Sequence, residues 1–122
     1  MKSDYKLYLT DMKSDYKLYL TDMKDSIKQI EGYMQGVSEE AFKKDKKLQD
    51  AVIRRLKIMG EASRNIPRVL KEKNKQIPWI SMSLFRDLTV HGYFEVSINR
   101  VWKVFKEDIP KIKESLSKIS LV

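Results

Sequence analysis

The chain has 122 residues, 42% hydrophobic and 34% charged, with four glycines and three prolines, a balance that describes one helix-rich domain rather than a disordered chain. Its lack of cysteine excludes a disulfide framework and thiolate-based zinc sites, and no apolar run approaches the ~18 residues of a membrane span, so a cytoplasmic location is expected. The net charge of +8 is uneven: residues 39–75 carry twelve Lys/Arg against six acids, a basic middle third that either attracts polyanions or is simply a solvated helix face.

Residues 1–11, Met-Lys-Ser-Asp-Tyr-Lys-Leu-Tyr-Leu-Thr-Asp, recur unchanged at residues 12–22. Eleven residues at ~100° each turn by ~1100°, only ~20° past three full turns, so a second copy leaves an apolar stripe nearly in line. The stripe runs Tyr5, Leu9, Met12, Tyr16, Leu20, Met23, Ile27, Ile30 and Met34 in steps of three and four, predicting one long helix. Residues 1–11 are read as a duplicated copy extending that helix beyond the bundle or onto a neighbouring chain, and residues 12–122 as the bundle domain.

Gly36 is expected to close the first helix, with Ser38 capping the next turn and Glu39 and Glu40 placed against its dipole. From about Leu48 a second amphipathic pattern runs through Ala51, Val52, Leu56, Ile58, Met59 and Ala62, with Arg54, Arg55 and Lys57 outside. Gly60 and Ala62 are small enough to let another helix come close. Pro67 begins or kinks a shorter helix ending near Asn74. Ile77-Pro78-Trp79 is an extended step into a helix carrying Met82, Phe85, Leu88 and Val90, which Gly92 is placed to end. A last helical region spans Val96 to Leu121, with Ile98, Val101, Trp102 and Phe105 inside and Pro110 opening its final segment. No two-residue alternation is sustained, so the expected fold is an all-α, up-and-down helical bundle.

The only histidine, His91, follows Arg86 by five positions and precedes Tyr93 by two. Imidazole, with an ordinary pKa near ~6.5, is the one group here suited to proton transfer at neutral pH, and a guanidinium is a permanent clamp for phosphate. A phosphodiester or nucleotide is the implied substrate. Residues five apart on an unbroken α-helix diverge by ~140°, so either the helix deforms near Thr89 and Val90 or another subunit completes the site. Cleaving RNA through attack of the 2'-hydroxyl needs a base and an acid, and each chain offers one imidazole. A two-fold dimer would bring two Arg86 and two His91 to one cleft, with the arginines stabilising phosphorane charge and no metal or cofactor required. Asp87 could orient the ring or cap a surface turn, and Glu61 could line the cleft or bond a neighbouring helix.

The run Arg86-x4-His91-x-Tyr93, followed by Phe94 and Val101-Trp102, resembles the signature of the HEPN superfamily, and more closely its HepT-like toxins. Tyr19-Leu20, Ile27 to Tyr33, Asp50 to Leu56 leading to Gly60-Glu61-Ala62, and Ile77-Pro78-Trp79 extend the resemblance over about residues 12–122. Asp87 stands where asparagine often follows the arginine. The resemblance implies a homodimeric, metal-independent ribonuclease toxin of a type VII-like toxin–antitoxin system, with Arg86 and His91 catalytic and RNA, possibly tRNA or mRNA, as substrate. It also implies a nucleotidyltransferase antitoxin that attaches AMP to Tyr93, where negative charge and bulk would repel RNA.

Two further classes remain open beside this one: a non-catalytic helical partner or nucleotide-binding module of a minimal nucleotidyltransferase, and a helical adaptor whose basic segment binds acidic partners. In the first of these Tyr93 still matters, as modification target or nucleotide contact, while His91 is dispensable; in the blandest reading His91 is structural, Tyr93 a half-buried packing residue and Arg86 a surface salt-bridge residue. Trp79 and Trp102 read as core or interface under every alternative.

Overall fold

The computed structural model describes residues 2–89 and 94–120, with side chains for 16–88 and 98–120. Helix α1 (Lys2–Met34) buries Tyr16, Leu20, Met23, Ile27, Ile30 and Met34. These lie four and three residues apart, the 3.6-residue repeat that keeps one face on the core. Side chains of the first copy of the repeated unit, and so the expectation that it projects from the bundle, lie outside the described residues.

Gly36 takes φ +72°, the left-handed conformation that ends a helix most cheaply in glycine. Helix α2 (Glu39–Lys44) then starts at Ser38, whose hydroxyl accepts the Ala41 N–H at 3.1 Å. Helix α3 (Lys46–Arg64) follows at once from Asp45, which accepts the Leu48 N–H at 3.0 Å. The Gln49 amide closes the break by donating to the carbonyls of Phe42 and Lys43 at 2.9 and 3.1 Å. Helix α3 returns along α1, burying Val52, Leu56, Met59 and Ala62, with Asp25 and Arg55 paired at 3.9 Å across the seam.

After Pro67, α4 (Arg68–Lys73) ends at Asn74, as the proline and its spacing predict. Asn74 is nearly inaccessible to solvent and ties three parts of the chain together. Its amide donates to the carbonyls of Leu70 at 2.9 Å and Ser120 at 2.8 Å, its Oδ1 accepts the Ser120 N–H at 2.7 Å, and its carbonyl accepts the Trp79 indole N–H at 3.0 Å.

Helix α5 (Trp79–Ser83) is short, and the chain tightens into a 3-10 segment over Leu84–Thr89. The apolar residues predict a single helix through Val90 that Gly92 ends; the α-helix instead stops at Ser83, and the difference has a visible cause. Trp79, Met82, Phe85 and Leu88 are all buried and recur every third residue. A three-residue turn stacks such positions on one edge, whereas an α-helix would rotate them progressively off the core.

Helix α6 (Phe94–Lys103) runs into a π-helical turn, Val104–Asp108, before α7 (Ile109–Ser117). The Ile109 N–H bonds the Val104 carbonyl, five residues back. Pro110 follows within the first turn of α7, where it has no N–H to offer and its ring would crowd the carbonyl four residues earlier; the wider turn relieves that crowding. Trp102 packs on Phe42 and Phe105 with ring centroids 5.8 and 5.7 Å apart, joining α6 to α2. The described residues form an all-α bundle without strands, and among them no helix is long and apolar enough to cross a membrane.

Candidate active site

The 3-10 segment sorts its side chains by edge. Phe85 and Leu88 point into the core, Leu84 and Asp87 are exposed, and Arg86 occupies the remaining edge, half-buried against α3. Of the two roles open to Asp87, the sequence slightly favours capping a surface turn over orienting the ring; its exposed position beside Leu84 sets it apart from the edge that carries Arg86.

Two neighbouring residues of α3 position Arg86. A Cβ at Gly60 would meet the Arg86 backbone nitrogen and Cγ at 3.0 Å each and the Met82 carbonyl oxygen at 3.2 Å. A side chain here would push the segment back by a few tenths of an ångström, so the expected close approach at Gly60 is made by the segment that carries Arg86. One residue on, the Glu61 carboxylate lies 3.4 Å from the Arg86 Nε. Gly60 thus admits the backbone of Arg86, while Glu61 restrains its guanidinium. With the Glu61 side chain 53% exposed, the ion pair itself contributes less than about 1 kcal/mol to stability. Its value lies in orientation.

Glu61 also borders a groove of about 380 Å³ between α1 and α3, where Tyr19, Asp22, Arg54, Lys57 and Asn65 stand along the walls. A smaller recess of about 200 Å³ opens on another edge of the 3-10 segment, lined by Ser81, Phe85, Arg100, Lys103 and Asp108. Burial there pushes the Asp108 carboxyl up, Glu107 adds to the rise, and Lys111, Lys103 and Arg100 partly oppose it. Among the described residues no group of three or more His, Asp or Glu could hold a metal ion.

Of the residues singled out in the sequence, Arg86 and Glu61 are brought together and Asp87 lies apart from them. His91 and Tyr93 lie outside the described residues, as does the expected helix end at Gly92. Sequence reasoning missed Asn74, and it read Arg54 and Lys57 only as a basic outer face. The signal for the groove was present: positions 54, 57, 58, 61, 62 and 65 make one stripe down α3, opposite Tyr19 and Asp22 of α1.

A helical bundle presenting an arginine of an Arg-x4-His run against a Gly-Glu pair defines the class, and sequence comparison gives the family. The family described as "Ribonuclease HepT-like" matches residues 23–119. A probable ribonuclease HepT of Thermococcus cleftensis is 44% identical over 119 residues, 98% of each chain. A Methanocaldococcus jannaschii protein whose name couples a gamma-glutamylcyclotransferase with a candidate RNase is also 44% identical over 119 residues, and the present chain spans 49% of its length. A candidate RNase of Caldanaerobacter subterraneus is 35% identical over 70% of this chain and 77% of its own. No solved structure matches. The chain belongs to the HepT-like ribonuclease family.

Proposed function

We propose that this protein is a metal-independent endoribonuclease, acting as a homodimer with Arg86 and His91 as its catalytic residues. The observation that carries the reading is the seat of Arg86, whose backbone rests on Gly60 and whose Nε is held by Glu61. An arginine held in this way on rigid elements is suited to a phosphate whose charge grows in the transition state. Family membership and the ribonuclease names of its relatives support the same chemistry.

One imidazole takes the proton from a 2'-hydroxyl as its oxygen attacks the adjacent phosphorus. The bond to the 5'-oxygen breaks, and a second imidazole, from the other protomer, returns a proton to that leaving oxygen. The products are a 2',3'-cyclic phosphate and a 5'-hydroxyl, with no atom unaccounted for. Arg86 neutralises the phosphorane between these steps.

The protein works as the toxin of a type VII-like toxin–antitoxin pair, and a nucleotidyltransferase antitoxin silences it by attaching AMP to Tyr93. The adenylate would add negative charge close in sequence to Arg86, where RNA phosphate must bind. Incubation with total RNA or tRNA in the presence of EDTA tests the nuclease: the wild type cleaves, while His91→Ala and Arg86→Ala do not. Equal cleavage by all three proteins would reject the assignment. Mass spectrometry after co-expression with the antitoxin tests the modification, and an unmodified Tyr93 peptide counts against it.

A further inference from the structure

We infer that the groove between α1 and α3 is a binding subsite for single-stranded RNA flanking the scissile phosphate, with Tyr19 as a base-stacking platform and Arg54 and Lys57 as phosphate contacts. This rests on the ribonuclease reading above and extends it to residues outside the Arg-x4-His run.

Three observations meet in the groove. First, Glu61 belongs both to its wall and to the ion pair with Arg86, so the groove adjoins the residue that holds the arginine. Second, its cations are available. Arg54 and Lys57 are exposed, and among the described residues neither forms an ion pair, whereas Arg55 beside them is paired with Asp25 at 3.9 Å. Third, an aromatic ring stands opposite: Tyr19 is half-buried on α1, with Ala62 and Ile58 adding apolar surface on the α3 side.

The spacing along α3 turns these into a path. Lys57 precedes Glu61 by one helical turn and Arg54 precedes it by two, at about 5.4 Å per turn. A strand whose reacting phosphate sits at Arg86 would therefore meet a further cation at each turn. Arg54, Lys57 and Arg86 face two carboxylates, Asp22 and Glu61, leaving the path cationic overall. Asp22 and Asn65 offer acceptors for 2'-hydroxyls or base edges, the groups by which single-stranded RNA is told from other polyanions. A platform plus a line of cations is the general form of single-strand recognition, tolerant of sequence because every base has a π-face.

The test separates this subsite from the nuclease reading. Cleavage kinetics are measured for Tyr19→Ala, Tyr19→Phe, Arg54→Gln/Lys57→Gln and a control of equal charge loss, Lys44→Gln/Lys118→Gln. Binding of a labelled single-stranded oligoribonucleotide is followed by fluorescence anisotropy in the same set on a His91→Ala background. Tyr19→Ala and the Arg54/Lys57 double variant should raise KM and Kd roughly five- to twentyfold with kcat within about twofold, while Tyr19→Phe and the control stay near the wild type. The double variant should also show a shallower dependence of Kd on salt. Unchanged KM and Kd, an equal effect of the control, or a fall in kcat alone would overturn the subsite. If the wild type cleaves no RNA, the nuclease reading fails, and the anisotropy series still decides the subsite by the same criteria.

Discussion

Helix α3 and the segment from Trp79 to Thr89 lie against each other but are built on different repeats. Helix α3 buries Val52, Leu56, Met59 and Ser63 at α-helical spacing, starts from a side-chain cap at Asp45 and runs nineteen residues without a break. The facing segment buries every third residue, has no side-chain cap at its start, and tightens into a 3-10 turn after only five α-helical residues. The regular element supplies the bed and the irregular one presents the Arg86 side chain. Strain and unusual turns gather where a side chain must be held at a set place, and a well-packed neighbour maintains them.

Removing the presented side chain should have the largest effect. Arg86→Ala is expected to lower cleavage by about 100- to 1000-fold, the range for loss of one group that stabilises transition-state charge, with only a small fall in melting temperature. A large fall in stability with modest loss of cleavage would move Arg86 from the reaction to the scaffold. Next, Asn74→Ala attacks the anchor that sets the start of the irregular segment. It loses four side-chain hydrogen bonds, the longest of them from the Gln76 amide at 3.5 Å, and strands the Ser120 backbone groups, at a cost of about 2–4 kcal/mol read from denaturant unfolding. A change under ~0.5 kcal/mol would show that the tail does not depend on this residue.

The contact between the two regions is tested by Gly60→Ala. Alanine gains about 1 kcal/mol of helix propensity but sets a methyl 3.0 Å from the Arg86 backbone nitrogen, and overpacking of this kind costs about 1–3 kcal/mol. We expect a net loss of roughly 1 kcal/mol together with a disproportionate fall in cleavage, about tenfold, because Arg86 is displaced. Stabilisation with full activity would mean the segment yields freely.

The smallest effect concerns Asp108. Because its folded-state pKa is raised, the folded protein binds this proton more tightly than the unfolded chain, so stability falls as pH rises through the interval from the ordinary aspartate value upward. The penalty is present at neutral pH and absent in acid. Asp108→Asn should therefore raise the melting temperature slightly at pH 7 and leave it unchanged near pH 3; a gain of equal size at both would assign the effect to something other than charge.

How much of this was legible in the sequence follows from the range of the interactions. Both long helices could be read from their stripes, and Gly36, Ser38 and Pro67 punctuate the chain where the residues say they should, because caps and breaks are decided within a few positions. The 3-10 segment was within reach too: the spacing of Trp79, Met82, Phe85 and Leu88 carries it, but a helical apolar pattern of four residues is usually assigned 3.6 residues per turn. Asn74 was beyond reach, since its partner Ser120 is 46 positions away and nothing local marks an asparagine as buried. The pairing of Glu61 with Arg86 is of the same kind. Sequence suggested that each belonged near a site, but only the fold joins them. Ser26 makes the complementary point: it lies on the buried face of α1 between core residues, and no spacing rule would place a hydroxyl there.

The missing Cβ at Gly60 has a dynamic corollary. With its backbone resting on that of α3 and no flexible side chain between them, the segment that bears Arg86 can swing outward only by breaking the contact as a unit. Its amide hydrogens should therefore exchange with solvent on the slow timescale of α3 rather than that of a surface turn, so the guanidinium would be carried by a segment that opens only together with α3.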